Sequence, residues 1–105
     1  MKKTTANTIL DLHTLWSETD KQTLNQNINK AVIREYPDHY ENQTQIARKV
    51  CELLPGTKES AVTAWFNKGR EDVKIPFLKL CELAAVLKVD VQILFDKKTT
   101  TDIMV

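Results

Sequence analysis

Apolar residues in the first third of the chain recur every three or four positions, which is the spacing of one face of a helix. A short amphipathic helix is predicted within residues 6–16. Its apolar face comprises Ile9, Leu12, Leu15 and Trp16. A longer helix is predicted over residues 20–36, with Ser17 as a capping residue before it, since a serine oxygen can accept a first-turn amide hydrogen. Pro37 ends this helix because proline disfavours the helical conformation of the preceding residue.

Two helices in the middle of the chain are separated by a strong turn signal. The first is predicted over residues 43–53, after a loop at residues 36–42, and Pro55-Gly56 marks the turn that follows. The second is predicted over residues 58–68. Gly69 is placed to end it, because glycine adopts the left-handed conformation without a steric cost.

The last helix begins at Pro76, which is placed as a first-turn proline. The apolar positions from there onward are Leu80, Leu83, Ala84, Leu87, Val89, Val91, Ile93, Leu94 and Phe95. Only two glycines and three prolines occur, so the predicted class is all-α. The predicted organisation is an N-terminal extension at residues 1–18, one helical domain at residues 19–95 and a flexible tail at residues 96–105.

Composition indicates a folded, intracellular protein. Hydrophobic residues make up 42% and charged residues 28% of 105 residues, which suits one compact globular domain. The first residues lack the apolar core of a signal peptide, and no apolar run approaches the ~20 residues of a membrane span. We therefore expect a cytoplasmic protein that does not associate with membranes.

The residues that could carry chemistry form no catalytic or metal-binding pattern. Cys51 and Cys81 lie in apolar helical patterns and are predicted to be buried, reduced thiols. His13 and His39 have no companions at ligand spacing, so we expect no metal and no cofactor. The sequence contains no nucleophile–base pair, carboxylate pair or phosphate-binding loop, and we expect no enzymatic activity.

The helix predicted at residues 58–68 has two contrasting faces. Val62, Trp65 and Phe66 form one stripe, and Ser60, Thr63, Ala64 and Asn67 form the other. The second stripe is slim and polar, as a helix that enters the DNA major groove must be, although any amphipathic surface helix has a polar stripe. Trp65 could stack on a base, but its spacing with Val62 and Phe66 predicts a core position.

Charge adds modest support. The net charge is +1, but residues 43–80 carry seven Lys and Arg against four Asp and Glu. This basic excess coincides with the two central helices and equally fits ordinary surface scatter.

Three segments resemble parts of one family. Gln43-Thr44-Gln45-Ile46-Ala47 resembles the start of the scaffold helix in Cro/repressor-type (XRE-family) helix-turn-helix domains. Residues 60–69 resemble their recognition helix, especially that of phage lambda repressor-like domains. Residues 76–95 resemble the closing LxxLAxxLxVxxxxL pattern. The resemblance implies a five-helix lambda repressor-like domain with an extra N-terminal helix.

The match departs from the family at three points. The segment between Ala47 and Ser60 is several residues longer than the family usually allows, which puts the angle between the two helices in question. Gly69 falls one residue later than in the common Trp-x-x-Gly pattern, and residues 1–18 have no counterpart in the minimal domain.

The resemblance implies sequence-specific binding of double-stranded DNA, with helix 58–68 in the major groove. Glu59, Ser60 and Thr63 would set specificity. Ser60 would face base edges, and Thr63 would touch a thymine methyl group or a phosphate. Glu59 would either accept from a cytosine amino group or merely lie favourably on the helix dipole.

Other residues would contact the DNA backbone. Gln43, with Thr44 beside it, would meet a phosphate at the positive end of the scaffold helix. Asn67 corresponds to a family asparagine that meets the sugar–phosphate backbone. The residues expected to neutralise phosphates are Lys58, Lys68 and Arg70.

A single helix reads few base pairs, so we expect a homodimer on a palindromic operator, with half-sites ~10 bp or a multiple apart. The dimer is expected to form through the N-terminal helix or residues 91–105, unless the N-terminal helix packs on helix 20–36 instead. The expected role is transcriptional repression, as in small regulators of phages and other mobile elements, although no sequence feature distinguishes a repressor from an activator.

The alternative is a protein-interaction module, an antitoxin or inhibitor built on a helix-turn-helix scaffold. The near-neutral charge, the acid at Glu59 and the apolar N-terminal helix would suit it.

Overall fold

A computed structural model describes residues 9–95, and its regular structure in that range is entirely helical. The elements are α1 (Ile9–Glu18), α2 (Lys21–Glu35), α3 (Gln43–Leu53), α4 (Glu59–Phe66), α5 (Phe77–Leu87) and a 3-10 helix (Val91–Phe95). The predicted all-α class is thus confirmed for the described residues. The tail predicted at residues 96–105 lies outside them, and no described helix is both long and apolar enough to span a membrane.

One apolar core joins all the elements that follow α1. Its fully buried members include Leu24, Ile28, Val32, Val50, Val62, Leu80, Leu83, Leu87 and Leu94. The buried amide of Asn27 donates to the carbonyl oxygen of Leu94 at 3.0 Å, which ties the 3-10 helix to α2. The apolar stripes predicted for the helices that are now α4 and α5 therefore face this core.

The start of α2 differs from the prediction. Ser17 lies inside α1, which continues to Glu18, and the N-cap of α2 is Asp20. The Asp20 carboxylate accepts from the amide of Thr23 at 2.8 Å, satisfying a first-turn donor and placing negative charge at the positive helix end. Asp20 is a better N-cap than a serine, because its side chain both accepts the amide hydrogen and carries a negative charge.

The end of α4 also differs from the prediction. The helix begins at Glu59 and stops at Phe66, two residues before Lys68, and Gly69 does not adopt a positive φ. The left-handed glycine lies instead in the α3–α4 connection, where Gly56 has φ 86°. The turn predicted at Pro55-Gly56 is therefore confirmed, whereas the glycine cap at residue 69 is wrong.

The ends of α5 carry a further correction. Pro76 is the N-cap of the helix and Phe77 is its first residue, so the proline lies one position earlier than expected. Lys88 ends the helix in the left-handed conformation, with φ 61°, and its amide donates to the carbonyl oxygen of Ala85. A lysine here takes the role that glycine usually fills.

α1 packs on its own chain through Trp16. The indole Nε1–H donates to the carbonyl oxygen of Ile75 at 2.8 Å, and the Trp16 and Phe77 rings are in contact, with centroids 6.2 Å apart. The Lys74 ammonium lies 4.5 Å above the indole centroid and donates to the carbonyl oxygens of Trp16 and Thr19. The main contacts of α1 are thus with residues 74–77 and the 3-10 helix.

The two cysteines are free and half-buried, which corrects the expectation of fully buried thiols. The Cys51 thiol donates to the carbonyl oxygen of Thr57 at 3.3 Å, within the α3–α4 connection. Burial raises the pKa of the Cys81 thiol above its ordinary value, and the neighbouring Glu82 carboxylate acts in the same direction.

Candidate nucleic-acid interface

α4 presents one buried and one exposed side. Val62 is 0% exposed and Trp65 is 5% exposed, so the tryptophan is a core residue as predicted. Ser60 and Thr63 on the opposite side are exposed, and neither side chain has a hydrogen-bond partner within residues 9–95. The outer side of α4 is therefore accessible to a ligand.

A wide polar groove, here called the α2–α4 groove, runs between two helices. Its walls are the polar side of α2 and the part of α4 that carries Thr63, and it is completed by residues 17–20, the start of α3 and the loop that follows α4. Five of the nine predicted site residues line it, namely Gln43, Thr44, Thr63, Asn67 and Lys68. The other four, Lys58, Glu59, Ser60 and Arg70, are exposed but lie outside its lining.

Gln43 is held at the end of the groove by α2. The Asn29 amide donates to Gln43 Oε1 at 2.7 Å, and the Gln43 amide donates to Asn29 Oδ1 at 3.0 Å. Asn42 caps α3 by accepting from the amide of Gln45 at 3.1 Å. The reciprocal amide pair uses one hydrogen of each NH2 group, so Gln43 retains a second N–H for a ligand.

Glu59 is paired across the α3–α4 connection. Its carboxylate lies 3.4 Å from Nε of Arg48, and both side chains are more than half exposed. An exposed pair of this kind contributes little stability. The Arg48 guanidinium offsets the negative charge of Glu59. Because both side chains are exposed, the Glu59 carboxylate is free to leave Arg48 and accept from another donor.

Lys21 closes the end of α4. Its ammonium donates to the carbonyl oxygens of Ala64, Asn67 and Arg70 at 2.9, 2.8 and 2.6 Å. Each of these carbonyls also accepts a backbone N–H, so Lys21 adds a second donor and a positive charge near the end of α4, where the helix dipole is negative. Burial lowers the pKa of this ammonium, while the Asp72 carboxylate acts in the opposite direction.

The residues just beyond α4 differ in how firmly they are held. Asn67 Oδ1 accepts from the amide of Gly69 at 2.8 Å, and Arg70 lies 4.0 Å from Asp72. Within residues 9–95 the Lys68 ammonium has no hydrogen-bond or ion-pair partner. Lys68 is therefore the lysine of the groove that is best placed to neutralise an external anion.

The two ends of the groove differ in charge. Its acidic residues are Glu18, Asp20, Glu71 and Asp72, and its basic residues are Lys21, Lys68 and Lys74. Three of these acids lie near Lys21 or Lys74, whose ammonium groups are bound to main-chain carbonyls: Glu71 and Asp72 act on Lys21, and Asp20 acts on Lys74. The opposite end, at Asn29 and Gln43, is lined by neutral polar side chains.

Sequence reasoning missed Lys21 and the α2 wall. The wall is built from Gln22, Asn25, Gln26 and Asn29. These four amides follow the i, i+3, i+4, i+7 spacing of one helix face, so the signal was present in the sequence. The role of Lys21 had no such signal, because its partners lie more than 40 positions away.

No group of three potential metal ligands occurs among residues 9–95. In the comparisons with known proteins, no family model, no curated protein and no solved structure matches the chain.

Proposed function

We propose that the protein is a sequence-specific, double-stranded DNA-binding regulator of the lambda repressor-like helix-turn-helix type. In this proposal α3 is the scaffold helix and α4 is the recognition helix in the major groove. The observation that carries it is the sidedness of α4, which buries Val62 and Trp65 and leaves Ser60 and Thr63 exposed. A slim outer face with short hydroxyl side chains can approach base edges closely.

The residues around α4 divide between the two tasks of such a protein. Ser60 and Thr63 contact base edges, with Glu59 accepting from a cytosine amino group when Arg48 turns to a phosphate. Lys68 and Gln43 contact phosphates, which position the protein without reading sequence. The helix ends before Lys68, so that contact comes from the loop after α4.

Two copies acting together would supply the specificity that one short helix lacks. We propose a homodimer on a palindromic operator, acting in the cytoplasm as a repressor that blocks a promoter. The indole of Trp16 packs on its own chain, which leaves Ile9, Leu10 and Leu15 as the exposed apolar residues of α1 for this contact. Light scattering of the protein mixed with operator DNA tests this, and a one-to-one complex at high micromolar concentration overturns the dimer.

Selection of bound sites from random duplex DNA tests the function itself. The wild type should recover a defined motif, and the double variant Ser60→Ala, Thr63→Ala should lose it. Thr14→Ala on α1 is the matched control, since Thr14 is an exposed helical threonine outside the groove. Circular dichroism of all three proteins checks the fold, and a folded wild type that recovers no motif overturns the proposal.

The second candidate, a protein-interaction module, is favoured by the charge of the α2–α4 groove. Four carboxylates against three lysines would suit a partner that presents basic side chains. Titration of DNA affinity against salt discriminates the two, because binding dominated by phosphates weakens steeply as salt rises. DNA affinity that does not change across the series favours the protein partner.

A further inference from the structure

The amide stripe of α2 is the part of the groove that the sequence resemblance does not account for. Gln22, Asn25 and Gln26 line the groove and have no side-chain hydrogen-bond partner within residues 9–95. The stripe contains four amides and no carboxylate, although 28% of the chain is charged. These neutral amides are suited to hydrogen-bonding a ligand whose charge is neutralised by other residues.

We propose that the α2–α4 groove straddles one sugar–phosphate strand of the DNA duplex, so that Gln22, Asn25 and Gln26 form a second DNA-binding wall. This inference rests on the proposed function, since it requires α4 to lie in the major groove. A helix inserted there has a phosphodiester strand along its flank, and a concave surface beside the helix must then accommodate that strand. α2 lies on the far side of that strand.

The chemistry of the groove indicates where the strand lies. Amide N–H groups donate to phosphate oxygens, as neutral side chains commonly do in protein–DNA complexes. Asn25 and Gln26 line the groove together with Thr63 of α4, and Lys68 supplies a cation. Glu71 and Asp72 would repel a phosphate. The DNA strand therefore runs away from these two acids and towards the neutral end of the groove, at Asn29 and Gln43.

The α2 wall differs from a lysine contact in its salt dependence. A neutral amide that binds a phosphate displaces no counterion, so it adds affinity without changing the salt slope. A lysine placed at the same position would both add affinity and steepen the slope. Variants that change the charge of α2 therefore test whether this helix lies beside a phosphate.

The test uses Gln26→Lys and Gln26→Glu, with Ala85→Lys and Ala85→Glu as controls that make the same charge changes. Gln26 and Ala85 are both exposed helical residues, and Ala85 on α5 lies outside the groove. The probe is a short duplex carrying the motif recovered by the selection, and the measurement is fluorescence anisotropy over a series of KCl concentrations. Asn25→Lys repeats the test at a second position if a Gln26 variant does not fold.

We expect Gln26→Lys to tighten binding and to steepen the slope of log K against log salt by about one. Gln26→Glu should weaken binding by about tenfold at low salt, and the Ala85 variants should change it by less than about twofold. If the wild type binds its motif and the variants at residue 26 behave like those at residue 85, the α2 wall is overturned and the proposed function stands. If the wild type recovers no motif, both proposals fall.

Discussion

The Nζ atom of Lys21 lies 2.8 Å from the carbonyl oxygen of Asn67, although the two residues are 46 positions apart in the chain. This bond joins the first residue of α2 to the residue that follows α4, and so connects the two walls of the α2–α4 groove. Lys74 makes the equivalent contact with the end of α1. Lys21 and Lys74 thus add a positive charge at the carboxyl ends of α4 and α1, where backbone amides also donate to the last carbonyls.

Replacing Lys21 should weaken this connection. Lys21→Met keeps the apolar stem but removes the donors to three carbonyl oxygens, and we expect the free energy of unfolding to fall by about 1 kcal/mol. Urea denaturation measures it. Lys79→Met is the control, because the ammonium of Lys79 makes only an ion pair 3.6 Å from Glu82, and its loss should cost less than about 0.5 kcal/mol. Equal effects of the two variants would contradict a capping role for Lys21.

Trp16 should carry most of the energy that docks α1. Trp16→Ala removes the indole bond to Ile75 and the contact with Phe77, and we expect a loss of about 2 kcal/mol or more in thermal or urea unfolding. Trp16→Phe should retain part of the packing and lose less. Leu10→Ala is the control, since Leu10 is 74% exposed and its truncation should change stability by less than about 0.5 kcal/mol. A Trp16→Ala variant as stable as the wild type would mean that α1 does not dock in solution.

The thiol of Cys81 should react slowly at neutral pH. Its pKa is raised by burial, so a smaller fraction is the reactive thiolate than in an unfolded chain. The pH at which alkylation by iodoacetamide reaches half its maximal rate should therefore lie higher in the folded protein than in urea. Peptide mapping by mass spectrometry follows residue 81 alone. A profile at the same or lower pH in the folded protein would contradict the inferred burial.

Removing an acid from the groove should strengthen DNA binding if the proposed function holds. Glu71→Gln keeps the size of the side chain and removes a carboxylate from the groove, so affinity should rise several-fold at low salt and the gain should shrink as salt increases. Glu82→Gln makes the same change on α5 outside the groove and serves as the control. Anisotropy titrations measure both, and an equal gain for the two variants would show that only overall charge matters.

The sequence alone determined where the helices lie and which side of α4 and of α5 is buried, whereas Ile9 and Leu15 of the apolar face predicted for α1 are exposed. Hydrophobic periodicity is a local property, because one face of a helix repeats every three or four residues. Val62 and Trp65 have this spacing, and both are buried in the core. The turn at Pro55-Gly56 was equally local, because only glycine adopts its φ without strain.

Tertiary structure decided how the helix ends are held and where the candidate site lies. Lys21, far away in the chain, donates to the carbonyl oxygen of Ala64 in the last turn of α4 and to that of Arg70 in the loop after it. The pairing of Asn29 with Gln43 and the docking of Trp16 beside Lys74 likewise depend on packing between distant segments. Such contacts produce no repeating pattern by which they could be predicted from the sequence, because each partner by itself is an ordinary polar or aromatic residue.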